Sequence, residues 1–160
     1  MQVAVGDSIP TDVQVQESEP GAGIKFGDLA GKGKVIVTGI PAAFSPTCSD
    51  KHIPGYVANA DAFKAKGVES ILCISVNDAF VMKAWGKQLG AEGKVRMIAD
   101  PAAALTKALG VSFDVAVAVF GNTRSERYAL LVEDGKVTQA LHEEGPGFEK
   151  CSAEDMLKLL

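Results

Sequence analysis

A chain of 160 residues, 47% hydrophobic and 22% charged, is long enough for one domain with its own core and has the composition of an ordinary globular protein. A net charge of −4 without a Lys/Arg cluster argues against nucleic acid or an anionic membrane as partner, and no apolar run reaches the roughly 18 residues of a membrane span. Three cysteines without a C-x-x-C pair, and two histidines, do not make a disulfide framework or a zinc centre, so neither metal nor cofactor is expected and the setting is a reducing compartment.

Along the chain, Gly6–Pro10 and Pro20–Gly23 are turn-rich and flank a short strand at Val13–Val15. The run Lys34–Ile40 reads as the first central strand. A helix is predicted from Pro46, with Ser45 as its cap, Pro46 at its first position and an interruption at Pro54. Ile53, Val57, Ala60 and Phe63 recur at helical spacing and mark its buried face. Val68–Val76 is a second central strand, apolar enough to be covered on both faces. Next come a helix from Asp78 to Leu89, capped by Asn77 or Asp78 and ended by Gly90, and a strand at Val95–Ala99. Asp100-Pro101 opens a further helix that closes at Gly110. Val115–Phe120 is a strand candidate or an irregular segment near the site. Asp134-Gly135 between two strand-like runs marks a tight hairpin over Arg127–Leu141. A loop at Gly145–Gly147 precedes a last helix, capped at Ser152 and running to Leu160. Strands alternating with helices, then a hairpin and a helix, describe a single thioredoxin-like α/β domain over residues 1–160, a central mixed sheet flanked by helices.

One stretch stands out for chemistry. Ser45-Pro-Thr-Cys48 sets a cysteine in the first turn of a helix, where unpaired N–H groups and the helix dipole favour an anion. Such a cysteine is expected to stand partly as thiolate, the nucleophilic form. Cys73, between Leu72 and Ile74 in a buried strand, reads as core.

The pattern P-x-x-x-S-x-x-C at Pro41, Ser45 and Cys48 lies within Gly39–Ser49 and is followed by His52-Ile-Pro-Gly55. With Ser75–Trp85, Ala99-Asp-Pro101, Leu105–Gly110 and Phe120-Gly-Asn122 leading to Arg127-Tyr128, it resembles the peroxiredoxins, specifically the peroxiredoxin 5 (type II) subfamily, over nearly the whole chain. The resemblance implies a thiol-dependent peroxidase that reduces hydrogen peroxide, alkyl hydroperoxides and often peroxynitrite through a sulfenic acid on Cys48. It implies that Arg127 holds thiolate and peroxide, that Ser45 bonds the peroxide and that Pro41 shields the site. It also implies thioredoxin or glutathione/glutaredoxin as reductant and a homodimer.

Other readings stand beside these. Cys151 is the resolving cysteine of an intramolecular disulfide with Cys48, or an unpaired surface thiol in an enzyme resolved by an external thiol. Arg96 and Arg124 compete with Arg127 on charge alone. His52 contributes to the site or is a helix-surface histidine, and Phe44 and Phe120 line an apolar mouth for organic hydroperoxides or are core; Trp85 reads as core. A thiol–disulfide oxidoreductase is disfavoured by the missing C-x-x-C, whereas a redox relay shares the same thiolate. No secretory or Arg-rich transit signal is evident at Met1–Val5, which points to the cytoplasm, or to a mitochondrion or other organelle if a presequence was removed.

Overall fold

The computed structural model describes residues 2–143 and 147–160. Its strands are β1 (Gln14–Glu17), β2 (Glu19–Lys25), β3 (Lys34–Ile40), β4 (Val68–Ser75), β5 (Arg96–Ala99), the two-residue β6 (Ser112–Phe113) and β7 (Arg124–Ser125), β8 (Tyr128–Glu133) and β9 (Lys136–His142). The helices are α1 (Phe26–Ala30), α2 (Ile53–Ala58), α3 (Ala60–Ala65), α4 (Ala79–Leu89), α5 (Ala104–Ala108), α6 (Val117–Phe120) and α7 (Ala153–Leu157). Seven strands form one mixed sheet in the order β2-β1-β5-β4-β3-β8-β9, with β5, β4 and β3 parallel and the outer pairs antiparallel. β6 and β7 pair separately. This is the thioredoxin-like arrangement expected from the element order.

Alternation along the inner strands sorts the core into two layers. Ile36 and Ile40, Ile71 and Cys73, and Ala129 and Leu131 face one side, which also holds Ile53, Tyr56, Phe63, Trp85 and Met156. Val35 and Val37, Leu72 and Ile74, and Leu130 and Val132 face the other, with Phe26, Leu105 and Leu109. Each large aliphatic side chain so buried stabilises the fold by about 1.5–3 kcal/mol. Thr38 shares the first face with Ile36 and Ile40, which puts a hydroxyl inside an apolar layer.

Local signals hold where they are self-contained. Asp78 caps α4 by accepting from the Val81 amide at 2.9 Å, and Gly90 ends it at φ 66°. Asp134 and Gly135 both take positive φ, 49° and 82°, as the hairpin turn between β8 and β9 requires. Ser152 caps α7, accepting from the Asp155 amide, although the helix stops at Leu157. The interruption at Pro54 appears as a π-helical turn over Cys48–His52, in which the Ile53 amide reaches back five residues to the Cys48 carbonyl. Proline has no N–H for the residue four before it and crowds that carbonyl, so the turn widens ahead of it.

Other expectations are corrected. Pro20–Gly23 is not a turn but lies within β2, an edge strand whose register with β1 skips from Gly23 to Glu19, an irregular edge position of the kind that tolerates proline. The helix expected at Pro101 starts at Ala104. The Asp100 carboxylate still caps it, accepting from the Leu105 and Thr106 amides and the Thr106 hydroxyl across an intervening turn. Val115–Phe120 is helical, a 3₁₀ turn at Asp114–Ala116 running into α6. Residues 145 and 146 of the Gly-Pro-Gly loop lie outside the described residues.

Gly39 in β3 is fixed by a close approach. A Cβ there would stand 2.0 Å from Cε1 of Tyr128, the residue opposite it in β8. Tyr128 is fully buried and next to Arg127 in sequence, so nothing can yield cheaply. Gly39→Ala is expected to lower stability by about 1–3 kcal/mol. Urea titration measures this, and an unchanged midpoint would show that the ring moves aside freely.

Candidate active site

β3 delivers the chain at Pro41 to a short turn, and the helix begins at Pro46. Ser49 is the first residue whose amide bonds back into it, to the Ser45 carbonyl at 2.9 Å. Ser45 thus occupies the cap position, but its side chain does not cap. The hydroxyl donates to the Ala42 carbonyl at 2.8 Å instead, so its oxygen is left to act as an acceptor. Phe44 holds a left-handed φ of 64° to make the turn. The turn is pinned from the bend that follows β4, because Asn77 Oδ1 accepts from the Ala43 amide at 3.1 Å. It is pinned again where buried Trp85 donates through Nε1 to Ser49 Oγ at 3.0 Å.

Cys48 is completely buried, and Arg127 Nη1 donates to its Sγ at 3.3 Å. The other two arginines named as competitors are engaged elsewhere. Arg96 forms a two-point pair with Glu17, and Arg124 donates to the Val76 carbonyl while lying over Phe120. Arg127 is 3% exposed, and among the described residues no carboxylate pairs with it. A buried guanidinium without an acid is costly unless another electron-rich group answers it. Here that group is sulfur.

His52 is the second acceptor. Its Nδ1 lies 2.9 Å from Arg127 Nη1 and its Nε2 3.0 Å from Thr38 Oγ1. Arginine can only donate, so Nδ1 accepts and the neutral ring carries its proton on Nε2. Thr38 takes that proton's hydrogen bond and passes its own to the Tyr128 carbonyl at 3.0 Å. The chain of donors leaves one tautomer. Burial, then the adjacent guanidinium, lower the His52 pKa to about 3. His52 is therefore an interior residue that orients Arg127, not a helix-surface histidine and not part of the cavity wall.

A cleft of about 200 Å³ opens beside this cluster, lined by Pro41, Ser45, Pro46, Thr47, Phe113, Phe120, Glu126 and Arg127. Pro41, Ser45, Phe120 and Arg127, all singled out from the sequence, meet there. Phe44 does not. It is half exposed, its ring 6.2 Å from that of Trp85.

Cys151 is fully buried, so the surface-thiol reading fails. Its Sγ donates to the Leu141 carbonyl at 3.4 Å and to the Arg127 carbonyl at 3.8 Å. Burial, then the charge of Glu143, push its thiol up to about 12. Cys73 is core as expected, and burial keeps its thiol well above the usual value. The segment before Cys151 covers the arginine: Nε of Arg127 donates to the Gly147 carbonyl at 3.2 Å, and Phe148 lies against the guanidinium and the His52 ring.

The Redoxin family model matches residues 4–157. Peroxiredoxin-2B of Arabidopsis thaliana is 44% identical over 160 residues, covering 99% of this chain and 98% of that protein. The chain belongs to the peroxiredoxin family. As a peroxiredoxin it is a thiol-dependent peroxidase. The fold agrees with solved members. Reduced Prx3 from Vibrio vulnificus in complex with H2O2 superposes with a TM-score of 0.90 at 44% identity, covering 99% of this chain and all of that one. Peroxiredoxin 5 from Alvinella pompejana gives 0.87 at 38%, covering 98% and 96%.

Thr38, Glu143, Gly147 and Phe148 belong to this site and were not singled out from the sequence. Only Thr38 left a signal, a polar residue inside an otherwise apolar strand.

The neutral His52 has a consequence for stability. Between about pH 6.5 and 3 the unfolded chain binds a proton on His52 that the folded protein refuses. Stability is therefore full above pH 6.5 and falls as pH drops, by up to about 1.4 kcal/mol per unit. From pH 6.5 to 5, wild type is expected to lose roughly 2 kcal/mol more than His52→Gln, read from urea titrations at each pH. Parallel curves would show that His52 is already charged.

Proposed function

We propose that this peroxiredoxin reduces hydrogen peroxide and alkyl hydroperoxides, and peroxynitrite as a further substrate, at Cys48. One observation carries this reading: the only described groups that answer the buried Arg127 Nη1 are the Cys48 sulfur and a neutral histidine nitrogen. A guanidinium so placed favours negative charge on that sulfur. The thiolate attacks the nearer oxygen of ROOH, the O–O bond breaks, Cys48 becomes a sulfenic acid and RO⁻ leaves to take up a proton. Charge develops on the leaving oxygen beside the guanidinium, which is already in position. Ser45 Oγ, its own hydrogen committed to Ala42, accepts from the peroxide O–H. Pro41 and Phe120 wall the cleft with apolar surface, which limits water and suits an organic R group. The V. vulnificus Prx3 structure with H2O2 supports the smallest substrate.

Cys151 then resolves the sulfenic acid within one subunit, and thioredoxin or glutathione/glutaredoxin reduces the disulfide. Support comes from the shared residue between the two sulfurs: Arg127 holds Cys48 by its side chain and Cys151 by its carbonyl. Such a cycle fits the cytoplasm or another compartment that maintains thiol reductants.

Cys48→Ser is expected to abolish peroxide consumption, and Arg127→Lys to lower kcat/KM about 10²–10³-fold, because an ammonium cannot bond sulfur, imidazole and peroxide from one rigid fork. Stopped-flow assays with hydrogen peroxide and cumene hydroperoxide check both. Turnover by Cys48→Ser equal to wild type would refute the assignment.

We infer a homodimer through the face beside the cleft. Val115, Val117, Val119 and Phe120 are exposed in sequence around α6, with Val115 and Val119 each 75% exposed. A cluster of that kind marks an interaction surface. Val119→Asp is expected to shift sedimentation from dimer to monomer; a wild-type monomer at tens of micromolar sinks the proposal.

A further inference from the structure

The segment that carries Cys151 is fastened by a group with no part in peroxide chemistry. Glu143 follows β9 and is 5% exposed. Its Oε1 accepts from the amides of Glu149 at 2.8 Å, Lys150 at 2.5 Å and Cys151 at 2.9 Å. Its own amide donates to the Arg127 carbonyl, the same oxygen that receives the Cys151 thiol. Burial by itself raises the Glu143 carboxyl, but the three converging amides outweigh it and hold the group below the ordinary carboxylate value. It is therefore an anion, and its bonds to the segment are charge-assisted. Two other side chains also donate to carbonyls of the segment. Tyr56 Oη donates to the Cys151 carbonyl at 3.0 Å, and Arg127 Nε to that of Gly147. Tyr56 is a core residue and Arg127 serves Cys48. The Glu143 side chain spends all its described bonds on the segment.

We propose that Glu143 is the positioning residue of the resolving half-reaction, a latch that holds Cys151 as a shielded thiol and whose release sets how fast the disulfide closes. This rests on the reading of Cys151 as the resolving cysteine. In that step Cys151 gives up its proton and its sulfur bonds to the Cys48 sulfur. The S–O bond of the sulfenic acid breaks, and the hydroxide that leaves takes a proton to become water. The Cys151 sulfur is oxidised and the Cys48 sulfur reduced, with peroxide the source of the oxidising equivalents. In the latched state Cys151 can neither ionise readily nor approach. Burial and the Glu143 charge both oppose the thiolate, and three amide bonds hold the backbone. Losing the carboxylate removes the charge and the bonds together.

The test uses the full chain with Cys73→Ala, so that Cys48 and Cys151 are the only thiols. One equivalent of hydrogen peroxide is added and the reaction quenched at intervals for intact-mass analysis of sulfenic acid and disulfide. In Glu143→Ala the ratio of disulfide closure to Cys48 oxidation is expected to rise about tenfold, the equivalent of losing about one charge-assisted bond, with Glu143→Gln in between because it keeps an oxygen acceptor without the charge. A ratio equal to or below the parent's overturns the latch. A second measurement separates this from failure of the resolving assignment: alkylation of Cys151 by iodoacetamide in reduced Cys48→Ser/Cys73→Ala protein. If the parent forms no Cys48–Cys151 disulfide, the resolving role falls. If Glu143→Ala alkylates no faster than its parent, the latch falls whatever Cys151 does.

Discussion

The guanidinium of Arg127 is taken out of water without a described carboxylate to meet it, and the rest of the site follows from that constraint. Desolvating such a cation costs several kcal/mol, so each N–H needs a strong acceptor. Nη1 serves both Cys48 Sγ and His52 Nδ1, Nε serves the Gly147 carbonyl, and Phe148 supplies a ring face. Of these acceptors only the sulfur can carry a full negative charge. The neutral imidazole orients the fork without competing for that role. A carboxylate in its place would bind the arginine more tightly and draw the fork away from the sulfur.

The scaffold supports this by strand alternation. Thr38 lies on the helix-facing side of β3, two residues from Ile36 and Ile40, and so meets His52 from below. Gly39 faces the other way and leaves room for the Tyr128 ring, which lets β3 and β8 run close enough for Thr38 to bond the Tyr128 carbonyl. Arg127 sits one residue before that contact. The widened helical turn over Cys48–His52 completes the geometry. Pro54 forces the extra residue into the turn, and the two side chains that flank it, Cys48 and His52, both point at one nitrogen of Arg127. A residue six places downstream thus shapes the surroundings of Cys48.

What could be read from the sequence was whatever a few neighbouring residues decide. Asp134-Gly135, Asp78 with Gly90, and the apolar runs of β3 and β4 carry their own instructions and hold in the structure. Pro20–Gly23 carries a turn composition, yet it is drawn into β2, where the register with β1 skips from Gly23 to Glu19. Asp100 was rightly seen as a cap, but Ala103 adopts a left-handed φ that delays the helix, which no local pattern announces. His52 and Cys151 are polar residues in a helix and near a loop, settings that usually mean surface. Their burial depends on partners 75 and 24 positions away in the chain. Glu143 is the extreme case. Among acidic neighbours it looks like solvated surface, and only the return of the segment at Glu149–Cys151 turns it into a buried acceptor.

The two sulfurs meet opposite demands on the same residue. In the proposed cycle Cys48 has to be ready before peroxide arrives, and its donor is a permanently charged side chain already in position. In the same proposed cycle Cys151 has to stay inert until then, because a thiolate close to Arg127 would compete for the same fork. Its thiol is accordingly given to backbone carbonyls, which favour the protonated form, and it is kept beside a carboxylate that disfavours the ionised one. Arg127 meets Cys48 with its side chain and Cys151 with its carbonyl, so the two sulfurs share a residue without sharing a donor. An arrangement that activated both thiols at rest would weaken the first step of the cycle to hasten the second.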